Sequence, residues 1–244
     1  MTGLVIHGHF YQPPRENPWT GEVEREPNAA PYHDWNERIH DECYAPNAAA
    51  PIGVDTPDRI VNNYANISFN FGPTLLSWLA RHHPKTYQLI LTADKESFVK
   101  RGGHGNAIAQ AYGHAILPLC NERDRLTQIL WGLADFRFRF GREAESIWLP
   151  ETAANDQILA LLIEQGLRYV ILAPNQAKRV RADNGWVDVS EVDTARPYVF
   201  RHPDGSDRSL AVFFYHGPLA RAIAFEKALT SSRGLVDKFI RAAQ

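Results

Sequence analysis

The sequence is poor in cysteine, with only Cys43 and Cys120 among its 244 residues. A secreted chain held together by disulfides would need more, so we expect a reducing compartment. No stretch approaches the eighteen apolar residues of a membrane span, and the first residues lack the basic start and long apolar run of a signal peptide. These absences together predict a cytoplasmic protein.

The sequence also lacks an excess of charge of one sign. The formal net charge is −2 and the pI is about 6.6, which gives no basic face for nucleic acid. Three motifs are missing: Gly-x-Ser-x-Gly, Cys-x-x-Cys, and Gly-x-Gly-x-x-Gly after the first strand. Serine hydrolase, thiol redox and dinucleotide-binding functions are therefore unsupported.

Short apolar runs alternate with segments of helical spacing, and this alternation is typical of a mainly parallel α/β fold. The predicted strands are Leu4–His9, Asn66–Phe71, Ala107–Gln110, Ser146–Pro150, Tyr169–Ala173, Pro197–His202 and Leu210–Tyr215. The predicted helices are Leu75–His82 with Thr74 as N-cap, Tyr87–Lys100, Glu122–Phe140, Asn155–Gln165, Ala220–Leu229 and Gly234–Ala243.

An irregular segment, rich in Pro, Asn, Asp and Ala, runs from Tyr11 to about Pro57. It contains Trp19, Tyr32, Trp35 and Tyr44, and disordered segments are poor in aromatic residues. Long loops in compact domains are otherwise usually functional. We therefore expect an ordered loop, at about residues 11–57, packed over one end of the fold.

Polar residues stand at several predicted strand ends, where barrel enzymes carry their functional groups. His7 and His9 are two residues apart, so both side chains point to one face of a strand. This pair could hydrogen-bond a sugar, bind a metal if further ligands joined it, or be structural. His216 follows another apolar run, and His114 could reach the same rim, although a loop histidine is the default interpretation.

Glu151 follows Trp148-Leu149-Pro150 directly after a predicted strand. One interpretation is a carboxylate stabilised by the dipole at the start of the next helix. The other is a catalytic carboxylate, since the ring of Trp148 beside it could bind sugar and tune its pKa.

Four segments, in order, resemble glycoside hydrolase family 57 and are most similar to its uncharacterised α-amylase-like members. Residues 7–14 read His-Gly-His-Phe-Tyr-Gln-Pro-Pro, similar to an opening His-x-Gln-Pro element that includes Gln12, with Phe-Tyr inserted after His9. Residues 67–76 resemble the second strand and helix start, and residues 113–119 a third element. Residues 148–151, Trp-Leu-Pro-Glu, match the segment that carries the nucleophile of the family.

The resemblance implies a (β/α)7 barrel, no cofactor or required metal, and retaining chemistry on an α-glucan. Glu151 would be the nucleophile, and His7, His9, Gln12, His114, Trp148 and His216 are the candidate substrate-binding residues. Two carboxylates are needed, and the resemblance places the acid on a later strand. Because residues 1–244 end in a helical pattern without a closing strand, we expect the N-terminal part of one barrel domain, incomplete at its C-terminal end, with the acid beyond Gln244.

Two alternatives remain open at this stage. The first is a metal-dependent carbohydrate hydrolase or deacetylase that uses His7 and His9 as ligands, which stoichiometric zinc would favour. The second is a catalytically inactive protein that binds glucan, which binding without turnover by the complete protein would favour.

The expected absence of the acid leads to a prediction about the 244-residue chain. The chain alone should not hydrolyse an α-glucan, because half of the carboxylate pair would be missing. Release of reducing sugar from maltooligosaccharides measures this. Turnover that Glu151→Gln abolishes would show that both carboxylates lie inside the chain.

Overall fold

The structure is a computed structural model that describes residues 3–53, 59–183 and 185–242. The chain divides into two compact units, which we describe separately. We call the first, Val5–Ala115 with Leu126–Ala144, the histidine unit. The second, Met1–Leu4 with Ile116–Arg125 and Glu145–Gln244, is the glutamate unit. None of the described helices is long and apolar enough to span a bilayer.

The histidine unit begins with a parallel strand pair. Its strands are β1 (His7–Phe10), β2 (Ala50–Ile52), β3 (Arg59–Val61), β4 (Ser68–Phe71) and β5 (Ala109–Gln110). Its helices are α1 (Trp35–Ile39), α2 (Ala45–Ala48), α3 (Pro73–His82), α4 (Pro84–Lys100) and, from Leu126 onward, α5 (Glu122–Phe140). A π-helical turn, His40–Tyr44, joins α1 to α2.

The register of this pair places polar side chains next to one another. β1 and β4 are parallel, with His7 opposite Ser68 and His9 opposite Asn70. On its other side β4 bridges the segment before β5, because the Phe69 N–H donates to the Asn106 carbonyl and the Ile108 N–H to the Phe69 carbonyl. Three parallel chain segments therefore carry their polar residues side by side.

The glutamate unit contains a strand–helix–strand element followed by a hairpin. Its strands are β6 (Ile147–Trp148), β7 (Tyr169–Leu172), β8 (Arg179–Ala182), β9 (Gly185–Asp188), β10 (Tyr198–Arg201) and β11 (Ser209–Phe214). Its complete helices are α6 (Asp156–Glu164), α7 (Gly217–Phe225) and α8 (Ser232–Ala242). β7 lies parallel to β11, and β10 is antiparallel to β11 at the edge. Both units thus show the α/β character that the sequence predicts.

Helix ends with strong capping residues match the prediction closely. α5 has the predicted bounds, and Gly141 after it takes a left-handed φ of 68°. Asn155 caps α6 by accepting the Ile158 N–H, and Gly166 follows that helix with φ 76°.

Thr74 is not the N-cap of α3, so that prediction is wrong. The helix begins at Pro73, with Gly72 in the capping position. Proline suits the first helical position because its fixed φ is already helical and its missing N–H would have no partner there. The Thr74 hydroxyl instead donates to the Gln12 carbonyl at 3.5 Å.

The first strand starts later than predicted, at His7 rather than Leu4. Pairing with β4 begins with His7 opposite Ser68, so residues 4–6 lie before the ladder. They are also exposed, with Val5 at 79%. An apolar run alone could not indicate where pairing would begin.

The segment predicted as irregular, residues 11–57, contains α1, the π-helical turn, α2 and β2. Asp34 caps α1 by accepting the Glu37 N–H, and β2 pairs with β3 as a hairpin. The irregular assignment is therefore wrong for residues 35–48, which are helical. Residues 54–57 of this prediction lie outside the described part. The hairpin of β8 and β9 is not among the predicted elements.

Gly132 in α5 is required for packing rather than for flexibility. A Cβ added there would lie far inside contact distance of the backbone carbonyl oxygen of Gln110. Gly132→Ala should therefore lower the unfolding free energy by roughly 3 kcal/mol or more, although alanine in an open helix would raise it by about 1 kcal/mol. Urea unfolding measures this. Gly234→Ala in α8, where the Cβ meets only the rotatable Ser231 side chain, is the control. Equal effects of the two substitutions would contradict the packing.

Candidate functional site

The buried amide of Asn70 connects the two histidines of β1. Its Oδ1 lies 3.1 Å from His7 Nε2, and its Nδ2 lies 3.0 Å from His9 Nδ1. Nδ2 also donates to Gln110 Oε1 at 2.6 Å. Asn70 is completely buried. The side-chain amide therefore fixes both rings and joins β1, β4 and β5.

These contacts are compatible with one arrangement of protons on neutral rings. His9 Nδ1 lies 3.0 Å from Asn70 Nδ2 and 3.3 Å from Asn70 Oδ1; in the tautomer that accepts from Nδ2, the proton of a neutral His9 ring is on Nε2. His9 Nε2 lies 3.2 Å from His114 Nε2, which can accept this proton's hydrogen bond. His7 Nε2 donates to Asn70 Oδ1, while His7 Nδ1, 3.0 Å away, accepts from the Ser68 hydroxyl. The whole set is consistent with neutral imidazoles.

The pKa values agree with neutral rings. Burial lowers the pKa of His7 to about 4, against a smaller opposing effect of the Asn70 hydrogen bond. Desolvation likewise lowers the pKa of His9 to about 4; Asn70 opposes this shift, and Coulomb repulsion from His114 and His7 adds to it. At neutral pH both histidines therefore act as hydrogen-bonding groups, not as cations.

Aromatic stacking extends this cluster. The Tyr11 and His114 rings lie face to face, with centroids 3.8 Å apart and planes 13° apart. His114 has a left-handed φ of 55°, which a residue other than glycine rarely adopts. Gly72 makes room for the stack, since a Cβ there would lie 2.9 Å from the Tyr11 ring. The stack offers a flat apolar surface beside polar ring nitrogens.

Gln12 has a different local role. Its side-chain oxygen accepts from Arg15 at 2.8 Å, and Arg15 also pairs with Glu26 at 2.6 Å. The Gln12 side chain also hydrogen-bonds Tyr44. These contacts anchor the start of the segment after β1, and whether Gln12 also touches a substrate stays a prediction.

The alternative of a metal at His7 and His9 needs further ligands. A metal site needs at least three His, Cys, Asp or Glu side chains close together. Within the described residues, such a group is formed by Glu37, His40 and His83, whose ligand atoms all lie within 4.8 Å of one another. His7 and His9 share the Asn70 amide instead, so hydrogen bonding accounts for their positions.

Glu151 in the glutamate unit has an unusual backbone conformation. It lies just after β6, in the short turn Pro150–Thr152, with φ 57° and ψ 17°. Thr152 follows with φ 51°, so two consecutive residues are left-handed. Each costs about 1 kcal/mol or more, and such strain clusters at functional sites. Glu151 is exposed between the buried Pro150 and Thr152.

The bounds of α6 argue against the helix-start interpretation of Glu151. The N-cap of that helix is Asn155, and the carboxylate in its first turn is Asp156. Glu151 lies four residues before the cap, and the helix dipole acts mainly within the first turn. The dipole therefore does not explain an exposed carboxylate at Glu151.

The two other candidates in this unit differ in their surroundings. Trp148 is half-buried in β6. His216 caps α7, because its Nδ1 accepts the Leu219 N–H at 3.1 Å. A neutral His216 therefore carries its proton on Nε2. This capping role was not predicted, and it leaves Nε2 as the atom that could donate to a substrate.

Ser68, Asn70 and Gln110 are site residues that the sequence analysis does not single out. Ser68 and Asn70 are alternate residues of the predicted second strand, so they share a face just as His7 and His9 do. This shared alternation on two neighbouring strands was the available signal. Gln110 gave no such signal, because its contact depends on the placement of β5.

A family model described as glycosyl hydrolase family 57 matches residues 4–243. The chain belongs to this family. Among curated relatives, the 4-alpha-glucanotransferase of Thermococcus litoralis is 28% identical over 106 residues, which cover 43% of this chain and 15% of the relative. The alpha-amylase of Pyrococcus horikoshii is 30% identical over 106 residues, covering 43% of this chain and 16% of that protein. The matched region is thus about a sixth of each relative.

Solved structures of this family have the same fold at low sequence identity. An exo-type maltose-forming amylase from Pyrococcus sp. ST04 aligns with a TM-score of 0.64 at 15% identity, over 91% of this chain and 36% of that chain. The Thermococcus litoralis 4-alpha-glucanotransferase aligns with a TM-score of 0.60 at 18% identity, over 92% and 30%. The chain therefore spans about a third of these enzymes.

The low pKa of His7 makes stability depend on pH. The unfolded chain binds a proton at His7 near pH 6.5, whereas the folded chain binds it only near pH 4. The contribution of a neutral His7 to the unfolding free energy is therefore complete above pH 6.5 and is lost as the pH falls from 6.5 to 4. The expected slope is up to about 1.4 kcal/mol per pH unit for this group. His7→Gln should flatten the curve by that amount. Urea unfolding at several pH values measures it, and identical slopes for both proteins would contradict the burial of a neutral His7.

Proposed function

We propose that the enzyme containing this chain is a retaining glycoside hydrolase or transglycosylase that acts on α-glucans, with Glu151 as its nucleophile. The observation that carries this proposal is the exposed Glu151 carboxylate on two consecutive left-handed residues directly after β6. Membership of the family gives the reaction class. The names of the relatives, a 4-alpha-glucanotransferase and an alpha-amylase, support an α-glucan substrate.

In this mechanism, a carboxylate oxygen of Glu151 attacks the anomeric carbon as the glycosidic C–O bond breaks. A second carboxylic acid, which the resemblance places on a later strand, lies about 5–5.5 Å from the Glu151 carboxylate and protonates the departing oxygen. Water or a sugar hydroxyl then displaces Glu151 from the glycosyl-enzyme. Hydrolysis and transfer differ only in this last step.

Neutral histidines suit a substrate of uncharged hydroxyl groups. We infer that His9 and His114 exchange the hydrogen bond between their Nε2 atoms for hydrogen bonds to sugar hydroxyls, and that the Tyr11–His114 stack supports the face of a sugar ring. His7, whose ring nitrogens bond Ser68 and Asn70, is inferred to support substrate binding through the Asn70 amide. Trp148 and the Nε2–H of His216 are proposed to contact substrate as well, and Gln12 to help shape the segment after β1. No cofactor is needed for this chemistry.

A second part of the proposal concerns the fold. We infer that the parallel strand pairs of both units belong to one catalytic domain of the (β/α)7 type. The single family match across residues 4–243 supports this, as do the similar folds of the amylase and the glucanotransferase.

An activated substrate tests Glu151 without needing the general acid. In α-maltotriosyl fluoride the leaving group departs as fluoride, so the C1–F bond can break without protonation while the Glu151 oxygen bonds to C1. We expect a maltotriosyl adduct on Glu151, found by mass spectrometry of proteolytic peptides. Glu151→Gln should lose the adduct. Glu191→Gln, at another exposed carboxylate of the glutamate unit, should keep it.

Maltoheptaose binding, measured by calorimetry, shows whether each protein still recognises glucan. Binding without an adduct, or an adduct on another residue, would refute the nucleophile role of Glu151. Binding that persists in Glu151→Gln together with loss of the adduct would support it.

A further inference from the structure

A second cluster of ionisable side chains lies in the histidine unit, apart from the Asn70 network. Glu37, His40 and His83 each offer one ligand atom, and these atoms all lie within 4.8 Å of one another. Glu37 Oε2 is 2.9 Å from His83 Nε2, and the His40 and His83 rings stack with centroids 3.5 Å apart. All three residues are half-buried, so an ion could reach them from solvent.

The backbone holds these residues in place. Glu37 is in the first turn of α1, where its N–H donates to the Asp34 cap. The π-helical turn begins at His40 and continues α1. His83 ends α3 and caps α4, with its N–H donating to Leu79 and its carbonyl accepting from Tyr87. Because these elements fix the backbone, ion binding requires rotation of the side chains alone.

The cluster presents the chemistry of a metal site. A metal binds the unprotonated nitrogen of a neutral imidazole, and His40 and His83 each offer one such nitrogen. Thr86 Oγ1 lies 2.9 Å from His40 Nε2, and if it accepts that proton, Nδ1 carries the lone pair. Such an outer partner commonly orients a histidine ligand.

Two imidazoles and one carboxylate are a donor set that suits zinc. Mg²⁺ and Ca²⁺ prefer oxygen ligands alone. Zinc bonds to these donors are about 2.0–2.1 Å long, so tetrahedral ligand atoms lie roughly 3.3 Å apart. The 2.9 Å contact between Glu37 and His83 therefore has to open slightly, while any ligand atoms farther apart, within the 4.8 Å limit, have to close. The two stacked imidazole rings also have to turn so that both point a nitrogen at the ion.

We propose that Glu37, His40 and His83 bind a Zn²⁺ ion that fastens the helical segment of residues 35–44 to the junction of α3 and α4. Water completes the tetrahedron. The site is structural and separate from the proposed glycosidase chemistry, so its test does not depend on that function.

Calorimetric titration of the chelator-treated chain with Zn²⁺ tests the proposal. We expect one ion per chain with a Kd below about 10 µM, a rise in Tm, and no comparable response to Mg²⁺. Glu37→Gln and His83→Gln should each weaken binding at least about 100-fold. His33→Gln, an exposed histidine near α1, and His9→Gln, in the Asn70 network, are matched controls that should keep the affinity.

Several results would overturn the site: no binding below about 10 µM, equal affinity in Glu37→Gln, or loss of binding in His9→Gln instead. Circular dichroism checks that each variant folds. If a variant does not fold, X-ray absorption of the zinc-loaded parent chain decides, because the proposal requires two imidazole ligands and a carboxylate oxygen.

Discussion

The structure of the histidine unit depends on the side-chain amide of Asn70. A buried amide without partners would cost about 1–3 kcal/mol, so its hydrogen bonds determine where the neighbouring groups can lie. It bonds His7 and His9 of β1 and Gln110 of β5, so together with its own strand, β4, it joins three chain segments. The parallel register of β1 and β4 brings these groups together. Burial of the two rings, which the Asn70 hydrogen bonds only partly offset, lowers the pKa values of His7 and His9.

In the glutamate unit, a strained turn of the backbone leaves one carboxylate, that of Glu151, exposed. Buried Pro150 and Thr152 lie on either side of Glu151, and the two consecutive left-handed residues turn the chain sharply after β6. α6 has its own cap and its own first-turn carboxylate, so Glu151 is not needed to start that helix. Strain without a structural purpose is consistent with a functional one. Under the proposed function, the role of Glu151 is nucleophilic attack on a sugar.

Features that depend on a few neighbouring residues, such as helix ends, could be predicted from the sequence. Gly141 and Gly166 mark helix ends, and Asn155 marks a helix start, because a cap depends on only a few neighbouring residues. Features that depend on residues far apart in the sequence could not be predicted. The start of β1 depends on β4, about sixty residues away, and the Asn70 contacts depend on two strand pairings at once. The helices in residues 35–48 lack a clear apolar period and form against tertiary neighbours such as Tyr64, whose hydroxyl donates to the Tyr44 carbonyl.

The central claim, that Glu151 is the nucleophile of a retaining enzyme, is tested most directly by product stereochemistry. Proton NMR of the first sugar released from an α-glucan by the complete enzyme distinguishes the two anomers before they interconvert. Two successive displacements, the first by Glu151, give the α-anomer. Release of the β-anomer would indicate a single displacement by water, and Glu151 would then not be a nucleophile.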